Sequence, residues 1–320
     1  QDDLVGRDKN KDNKKSNNFT VDKSKALAAI SSIIQREINL FWDPPIVEHD
    51  FVGLIAELCF VLLQNPSIKQ EKAVIMEIFG VFGNLVKIYE YGKTFVTRLI
   101  RTIRMYEHVV HCVAEGITMI VNQFNCQSLI HHFVKEATEW QVDETFQDAL
   151  GTRCCSLFLT ELAVAIPDLI LPEVMYLNKY LAHEVSLQNQ NHNYIILLRM
   201  FQSTALRIAV LNVMYEIVLK VLTKHDLTEE QKELRDEFFE VIIEHVRDVS
   251  APVRVKVIQN LSKLQKENAI PLTFQNEILS EIIKHLKDKA ANVRKSAINC
   301  VTTFLEHNPY GANVSICFYI

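Results

Sequence analysis

Glycine and proline are scarce in this chain, with eight of each among 320 residues. That scarcity excludes the turn-rich sandwiches and barrels in which short strands alternate with tight turns. There is no Gly-x-x-x-x-Gly-Lys-Ser/Thr loop and no other glycine-rich phosphate cradle, which excludes nucleotide hydrolysis by a P-loop. An excess of positive charge is also lacking. The formal net charge is −5, so any nucleic-acid contact has to come from a local patch rather than from composition. No apolar run approaches the roughly 18 residues that a membrane-spanning helix needs, and no charged-then-apolar leader opens the chain. The seven cysteines, at 59, 112, 126, 154, 155, 300 and 317, are odd in number and scattered. They do not form a disulfide framework and point to a reducing compartment. A soluble intracellular protein is expected. Because the first residue is Gln1 rather than Met, a fragment or processed product is expected as well.

What the chain does carry is apolar periodicity at helical spacing. Hydrophobic residues make up 48% of it and charged residues 23%, enough for a large core. The first 18 residues mix both charge signs with Asn and Ser, so residues 1–20 are read as a disordered polar lead. From Lys25 to Leu40, apolar residues at Leu27, Ile30, Ile33, Ile34 and Ile38 share one helical face. The step Trp42-Asp43-Pro44-Pro45 then ends the helix, because proline cannot continue the hydrogen-bond ladder and restricts the residue before it. Further helices are predicted at Glu48–Leu63, stopped by Asn65-Pro66, and at Gln70–Tyr89, Thr94–Phe124, Gln127–Glu139 and Thr145–Ala165. After Pro167 and Pro172 the helices are expected to pair: Pro172–His183 with Ala205–Thr223, Glu229–Val246 with Pro252–Glu267, and Leu272–Leu286 with Asn292–Glu306. No segment alternates strictly, so no sheet is predicted.

Two of these pairs repeat without a gap at a spacing of 40 residues. His245-Val246-Arg247-Asp248 through Pro252-Val253-Arg254 to Ile258 matches His285-Leu286-Lys287-Asp288 through Asn292-Val293-Arg294 to Ile298. The unit, two helices joined by a tight turn with Asp before the turn and Val-Arg opening the second helix, is a HEAT-type repeat. The fold class is therefore all-α, an α-solenoid of armadillo-like helical repeats whose product is an extended binding surface. Asp248 and Asp288 are placed to accept from backbone N–H groups near the helix start. Arg254 and Arg294 fall in the first turn, where a cation opposes the helix dipole unless a carboxylate compensates it. Resemblance to HEAT repeats implies that Asp248, Arg254, Asp288 and Arg294 form a ladder between stacked repeats.

Local chemistry is sparse elsewhere. Lys93, Arg98, Arg101 and Arg104 fall on one side of a helix whose other side carries Leu99, Ile103, Tyr106 and Val110. An exposed basic edge of this kind would give sequence-independent, salt-sensitive contacts to DNA phosphates. It is also what any solvated helix shows. Lys287, Lys289 and Lys295, with Arg294, form a second basic cluster around the last repeat turn. His108, His111, Cys112, Cys126, His131 and His132 offer metal-capable side chains, but only one weak half of a zinc pattern. Cys154-Cys155 reads as a pair of small buried hydrophobes rather than a nucleophile, since nothing supplies an oxyanion hole or an orienting group. Trp42 and Phe51 read as packing anchors around the Pro-Pro turn. No cofactor and no enzyme activity are expected.

A more specific resemblance is carried by Phe41-Trp42-Asp43-Pro44-Pro45-Ile46-Val47-Glu48 followed by Phe51-Val52-Gly53-Leu54. It continues through Phe158-Leu159-Thr160-Glu161-Leu162-Ala163 with Ile166-Pro167, the helix Val210 to Leu222, Arg235-Asp236, and Phe304-Leu305 with Asn308-Pro309. In this order, from Lys25 to Pro309, the chain resembles the N-terminal part of the condensin subunit 1 family, the HEAT-repeat non-ATPase subunits of condensin. The resemblance implies a non-catalytic regulatory scaffold that binds the kleisin subunit, helps to position the paired structural-maintenance-of-chromosomes ATPase heads, and contacts double-stranded DNA during mitotic chromosome condensation. It implies a location in the nucleus and on mitotic chromosomes, with cytoplasm outside mitosis, and no membrane partner. The generic Asp and Val-Arg repeats alone also allow another HEAT adaptor, such as a transport receptor or a phosphatase scaffold. A small metal or thiol enzyme is the remaining reading.

Two places depart from the family pattern. The family runs almost directly from the helix ending at Leu181 to that beginning near Leu206, whereas here Val185 to Gln202 is interposed, and the chain stops soon after Pro309. Both odd segments, 185–202 and 314–320, open with Val-Ser, the in-frame translation of a GTAAGT splice donor. They are read as retained intron sequence, against the alternative of a loop insertion with a divergent tail. The expected organisation is a lead (1–20), an N-terminal solenoid segment (21–183), an insertion (184–203), HEAT repeats (204–309) and a divergent tail (310–320). A solenoid stopped mid-array leaves an uncapped apolar face, so low solubility of the isolated chain is expected.

Overall fold

The computed structural model describes residues 20–36, 42–44, 46–138, 149–174, 177, 204–224 and 226–307. The expected insertion 184–203, the tail 310–320, the two segments read as intron, and the lead apart from helical Thr20 lie outside these residues. Among the described residues there is no β-strand, and no single helix is long and apolar enough to cross a membrane. The chain divides into two compact units, Gln1–Glu161 and Leu162–Ile320, each a stretch of α-solenoid.

The first unit begins with α1 (residues 20–34), α2 (His49–Gln64), α3 (Lys72–Ile88) and α4 (Gly92–Met105). It continues with α5 (Val110–Phe124), α6 (Leu129–Thr138) and most of α7 (Ala149–Ala165). Alternate helices pack side by side, α3 along α5 and α4 along α6, while α2 crosses to α3. This is how amphipathic helices that cannot bury their stripes alone become a stack. The stops are local. Asn65 accepts from the Ser67 N–H at 3.0 Å and precedes Pro66 after α2, and Asn125 closes α5 in the left-handed conformation at φ 60°, which asparagine tolerates better than most residues.

The stretch Thr94–Phe124, read from sequence as continuously helical, is two helices. Tyr106 is extended at φ −129° and ψ 93°, and a 3₁₀ turn at Glu107–Val109 redirects the chain into α5. Neither proline nor glycine marks this break. It is imposed from outside, by burial of Val109 and by the His108 ring, whose Nε2 lies 3.2 Å from the Leu63 carbonyl oxygen.

A chain of rings runs through the core of this unit. Phe60 meets Phe82 at 4.9 Å between centroids, Phe82 meets Phe79 and Phe95, Phe95 meets Phe133, and Phe133 meets Phe158, all within 5.9 Å. These six residues come from five helices and are almost entirely excluded from solvent. Edge-to-face and tilted pairs of this kind add roughly 0.5–1.5 kcal/mol each beyond the area they bury. The contact between α3 and α5 is closer still: a Cβ on Gly116 of α5 would overlap the Phe79 ring, and one on Gly83 of α3 would overlap the Phe124 ring.

The second unit holds α8 (Thr204–Lys220), α9 (Glu229–Glu244), α10 (Ala251–Lys266), α11 (Leu272–Lys284) and α12 (Ala291–His307). A capping box starts α9, with Thr228 Oγ1 accepting from the Gln231 N–H and the Gln231 side chain accepting from the Thr228 N–H. The helices form two layers, α8, α10 and α12 in one and α9 and α11 in the other. Val257, Leu261 and Leu264 of α10 and Val293, Ala297 and Phe304 of α12 are buried, and the two helices pack along each other. Two polar bridges key the same layer: the Asn260 amide donates to Asn212 Oδ1 at 3.0 Å, and Ser262 and Thr303 share a hydrogen bond at 3.0 Å.

Gly116 and Gly53 therefore respond oppositely to alanine. Removing a mid-helix glycine ordinarily gains about 0.5–1 kcal/mol. Gly53→Ala, whose new Cβ meets nothing within 4 Å, is expected to gain that amount in urea unfolding followed by helical circular dichroism. Gly116→Ala is expected to lose stability in the same assay, because the Phe79 ring has to move.

Candidate nucleic-acid interface

The candidate basic groups of the second unit sit on a turn whose geometry is set by an arginine–aspartate ladder. Arg207 of α8 donates from Nε and Nη2 to the two carboxylate oxygens of Asp248, at 3.0 and 3.1 Å. One repeat later, Arg254 of α10 grips Asp288 in the same way, at 2.9 and 2.9 Å. Each carboxylate also accepts from the backbone two residues on, Asp248 from the Ser250 N–H at 2.7 Å and Asp288 from the Ala290 N–H at 2.8 Å. These N–H groups precede the helices, so the aspartates close an Asx turn ahead of α10 and α12 rather than capping from within the first turn. The remaining Arg254 nitrogen, Nη1, donates to the carbonyls of Asp248 and Val249, and Arg294 Nη1 repeats this on Asp288 and Lys289. Arg207 was not singled out from sequence. Its signal was a Leu206-Arg207 pair, matching Val253-Arg254 and Val293-Arg294, but 47 residues before Arg254 rather than 40.

A second ion pair joins the same repeats on their outer side. Arg247, in the 3₁₀ turn His245–Arg247, donates to Glu281 of α11 at 2.8 and 2.5 Å, and Lys284 reaches the same carboxylate at 2.6 Å. These contacts outweigh burial and hold the Glu281 carboxyl down at about 2. Arg254, with the Ala290 N–H and His285, holds Asp288 well below the usual carboxylate range in spite of its burial.

Against this frame the last repeat turn is unusual in charge. Lys287, Lys289 and Lys295 are exposed and, among the described residues, none is in an ion pair. One repeat earlier the equivalent positions carry Arg247, committed to Glu281, and the uncharged Val249 and Val255. The turn and the start of α12 thus present three ammonium groups that are unpaired among the described residues, Lys287 and Lys289 on the turn and Lys295 on the helix, while Arg294 beside them is partly covered and held to two carbonyls.

The basic edge of α4 does not stay together. Lys93 and Arg101 are exposed. Arg98 lies against α2, paired with Glu57 and 4.6 Å over the Phe60 ring, with the Tyr91 hydroxyl at 3.4 Å. Arg104, expected on the exposed edge, is only 7% exposed, and its Nη1 lies 4.0 Å from Cys155 Sγ of α7. At 100° per residue Arg98 and Arg104 flank Arg101 by about 60° on either side. A helix in a two-layer stack has neighbours on both flanks, so only the crest stays wet. Lys93 instead joins Lys87, Ser128 and His132 around a surface cleft of about 560 Å³ between the α3–α4 and α5–α6 turns.

The other candidates are spoken for locally. His111 faces Glu115 and Glu161, Cys112 donates to the Val109 carbonyl, and His132 Nδ1 lies 2.9 Å from the Ser128 carbonyl oxygen. Among the described residues no three His, Cys, Asp or Glu side chains are grouped to hold a metal ion. Burial pushes the Cys112 thiol up to about 11 and Cys300 up to about 12, and Cys154 and Cys155 are buried. Trp42 packs edge-on against Phe51, 5.5 Å between centroids.

Comparison with known proteins adds three kinds of finding. The family model described as non-SMC mitotic condensation complex subunit 1, N-term, matches residues 1–95, and that of the sister chromatid cohesion protein PDS5 matches residues 202–308. Condensin complex subunit 1 of Homo sapiens is 27% identical over 317 residues, covering 98% of this chain and 21% of the relative. That of Xenopus laevis is 26% identical over 291 residues, covering 90% and 20%, and that of Schizosaccharomyces pombe is 21% identical over 290 residues, covering 89% and 23%. The chain thus spans about a fifth of the length of the relatives it matches. A designed armadillo repeat protein, solved with a (KR)4 peptide, overlays 86% of this chain and 99% of its own at a TM-score of 0.42 and 11% identity, a likeness too slight to build on.

The depressed carboxyls make the second unit acid-sensitive. A carboxyl whose folded pKa lies below its unfolded value, ordinarily about 4, contributes stability that is complete above the unfolded pKa and is lost as pH falls through the folded one. Stability of the repeats spanning α10–α12 is expected to fall steadily from about pH 5 to about pH 2, read by urea midpoints across that range. The slope should flatten in Glu281→Gln and in Asp288→Asn.

Proposed function

From its kinship with condensin complex subunit 1, whose N-terminal part it resembles over most of its length, we propose that the chain is a non-catalytic scaffold segment of a condensin complex. In this role it binds the kleisin subunit, lies beside the structural-maintenance-of-chromosomes ATPase heads, and contacts double-stranded DNA on mitotic chromosomes in the nucleus. Hydrolysis belongs to the partner ATPases. The kinship favours this reading over a transport receptor or a phosphatase scaffold, which rested on generic repeat residues alone.

The observation that carries the DNA contact is the turn and helix start bearing Lys287, Lys289 and Lys295. Its three cations are exposed, and the ladder beneath them fixes the backbone that presents them. Ammonium groups of this kind neutralise phosphates as point charges and read no sequence. Lys93 and Arg101 are a second candidate contact. Arg98 and Arg104 are not assigned to DNA, since their guanidinium groups are engaged within the unit.

The test is fluorescence anisotropy of a labelled 40-base-pair duplex titrated with the full chain over a range of salt. Binding is expected to weaken steeply with salt. The triple variant Lys287→Glu/Lys289→Glu/Lys295→Glu should bind at least tenfold more weakly. It should also reduce the slope of log K against log salt by about 0.9 for each phosphate that is no longer neutralised, whereas Lys266→Glu on α10 leaves both unchanged. Equal binding by the triple variant would remove this turn from the DNA contact. Selective capture by the central segment of a condensin kleisin, persisting at high salt, is expected in parallel. Its failure with folded chain would turn the reading toward another adaptor.

A further inference from the structure

Helix α2 is apolar on both faces. Val52, Ala56, Cys59, Phe60 and Leu63 are buried in the unit, as the core side of a solenoid helix requires. On the opposite face Leu54 is 69% exposed, Leu58 45% and Val61 54%, and Phe51, at 38%, continues the line from its edge contact with Trp42. A helix that is hydrophobic all round is ordinarily buried all round, and a contiguous apolar patch on a surface marks an interaction site. Positions 51, 54, 58 and 61 follow the 3-4-3 spacing of a coiled-coil seam, with Phe51 and Leu58 at the a positions and Leu54 and Val61 at the d positions.

One flank of that seam is acidic, with Arg98 of α4 set against Glu57, and the other, with Ile55 and Leu62 at the e positions, is uncharged. In the same register the g positions are Asp50, Glu57 and Gln64, and the sixteen residues of α2 include no Lys or Arg. Glu57 pairs with Arg98 yet keeps about half of its side chain in solvent, and Glu48, just ahead of the helix, is also exposed. Residues at e and g choose the partner of a coiled coil by charge.

We infer that the outer face of α2 is a docking seam for an amphipathic helix from another protein, apolar at its own a and d positions and lysine- or arginine-rich on its flank. From Phe51 to Val61 the seam is about 15 Å long at 1.5 Å per residue, so it holds a helix of about three turns. A second copy of the chain in antiparallel register is the poorer occupant, since it sets the acidic g positions of one α2 against those of the other, and in parallel register Asp50 and Glu57 face only the uncharged Ile55 and Leu62, whereas a basic flank complements them. The inference stands on α2 alone and does not depend on the kinship with condensin or on the DNA contact.

The test is selection, on the immobilised full chain, from a display library of three-turn helices. In this library the a and d positions are Leu or Ile, and the e and g positions are drawn from Lys, Arg, Glu and Gln. Enrichment of Lys and Arg at the flanking positions is expected, with at least tenfold weaker retention of the selected helices by Leu54→Glu/Leu58→Glu. Both substitutions are on exposed positions, and unchanged circular dichroism checks their fold. In Asp50→Asn/Glu57→Gln, which keeps the apolar seam, the basic preference should vanish while helix binding persists. Three results overturn the proposal: no enrichment over the Leu54→Glu/Leu58→Glu variant, enrichment of acidic or uncharged flanks, or a self-association in light scattering that Leu58→Glu abolishes.

Discussion

The two parallel hydrogen bonds from Arg254 to Asp288 lie between successive helix pairs with little access to water, and the neighbouring backbone is arranged to leave neither group wanting. Placing an ion pair in such a position costs several kcal/mol of desolvation per ion, which only full satisfaction of donors and acceptors offsets. Arg254 uses Nε and Nη2 on the carboxylate and Nη1 on two carbonyls, and Asp288 accepts in addition from the Ala290 N–H and faces His285 Nδ1 at 3.0 Å. The arrangement works only if one repeat follows the other at one distance and one rotation. The pair therefore acts as a gauge for the stack, while the leucine, valine and phenylalanine contacts around it supply the burial. Arg207 and Asp248 repeat the gauge one step earlier.

The first unit solves the same problem with apolar shape. Its six linked phenylalanine rings and the two glycines that admit Phe79 and Phe124 fix helix spacing by close packing. Such packing tolerates little volume change. Charge on this unit is left to outward positions, where it distinguishes one surface from another. Asp50 and Glu57 on α2 and the cations Lys93 and Arg101 on α4 are all exposed.

Much of this was legible in the residues because helical repeats write their geometry into short-range pattern. The 40-residue match placed Asp248, Arg254, Asp288 and Arg294 on equivalent turns, and the apolar period placed most helices within a few residues. What was illegible depended on neighbours. Nothing in the sequence around Tyr106 announces a break, since it is His108 against Leu63 and the burial of Val109 that bend the chain there. The exposure of an α4 flank depends on α2 and α7 lying beside it, so Arg101 is wet while Arg104, one turn along, is not. The exposure of Leu54, Leu58 and Val61 on the outer face of α2 is hidden for the same reason, because periodicity counts apolar residues without knowing which of them meets a neighbour.

Whether the arginine–aspartate fork couples adjacent repeats is measured directly by a double-mutant cycle. Arg254→Met, Asp288→Asn and the double variant would be compared with the parent by urea unfolding at pH 7. Asparagine retains an acceptor for the Ala290 N–H, so the cycle isolates the fork. A coupling energy of about 2 kcal/mol, within the range for contacting charged groups, is the predicted result. Additive effects, with coupling below about 0.5 kcal/mol, would contradict a gauging role for the fork and leave apolar packing alone to set the register.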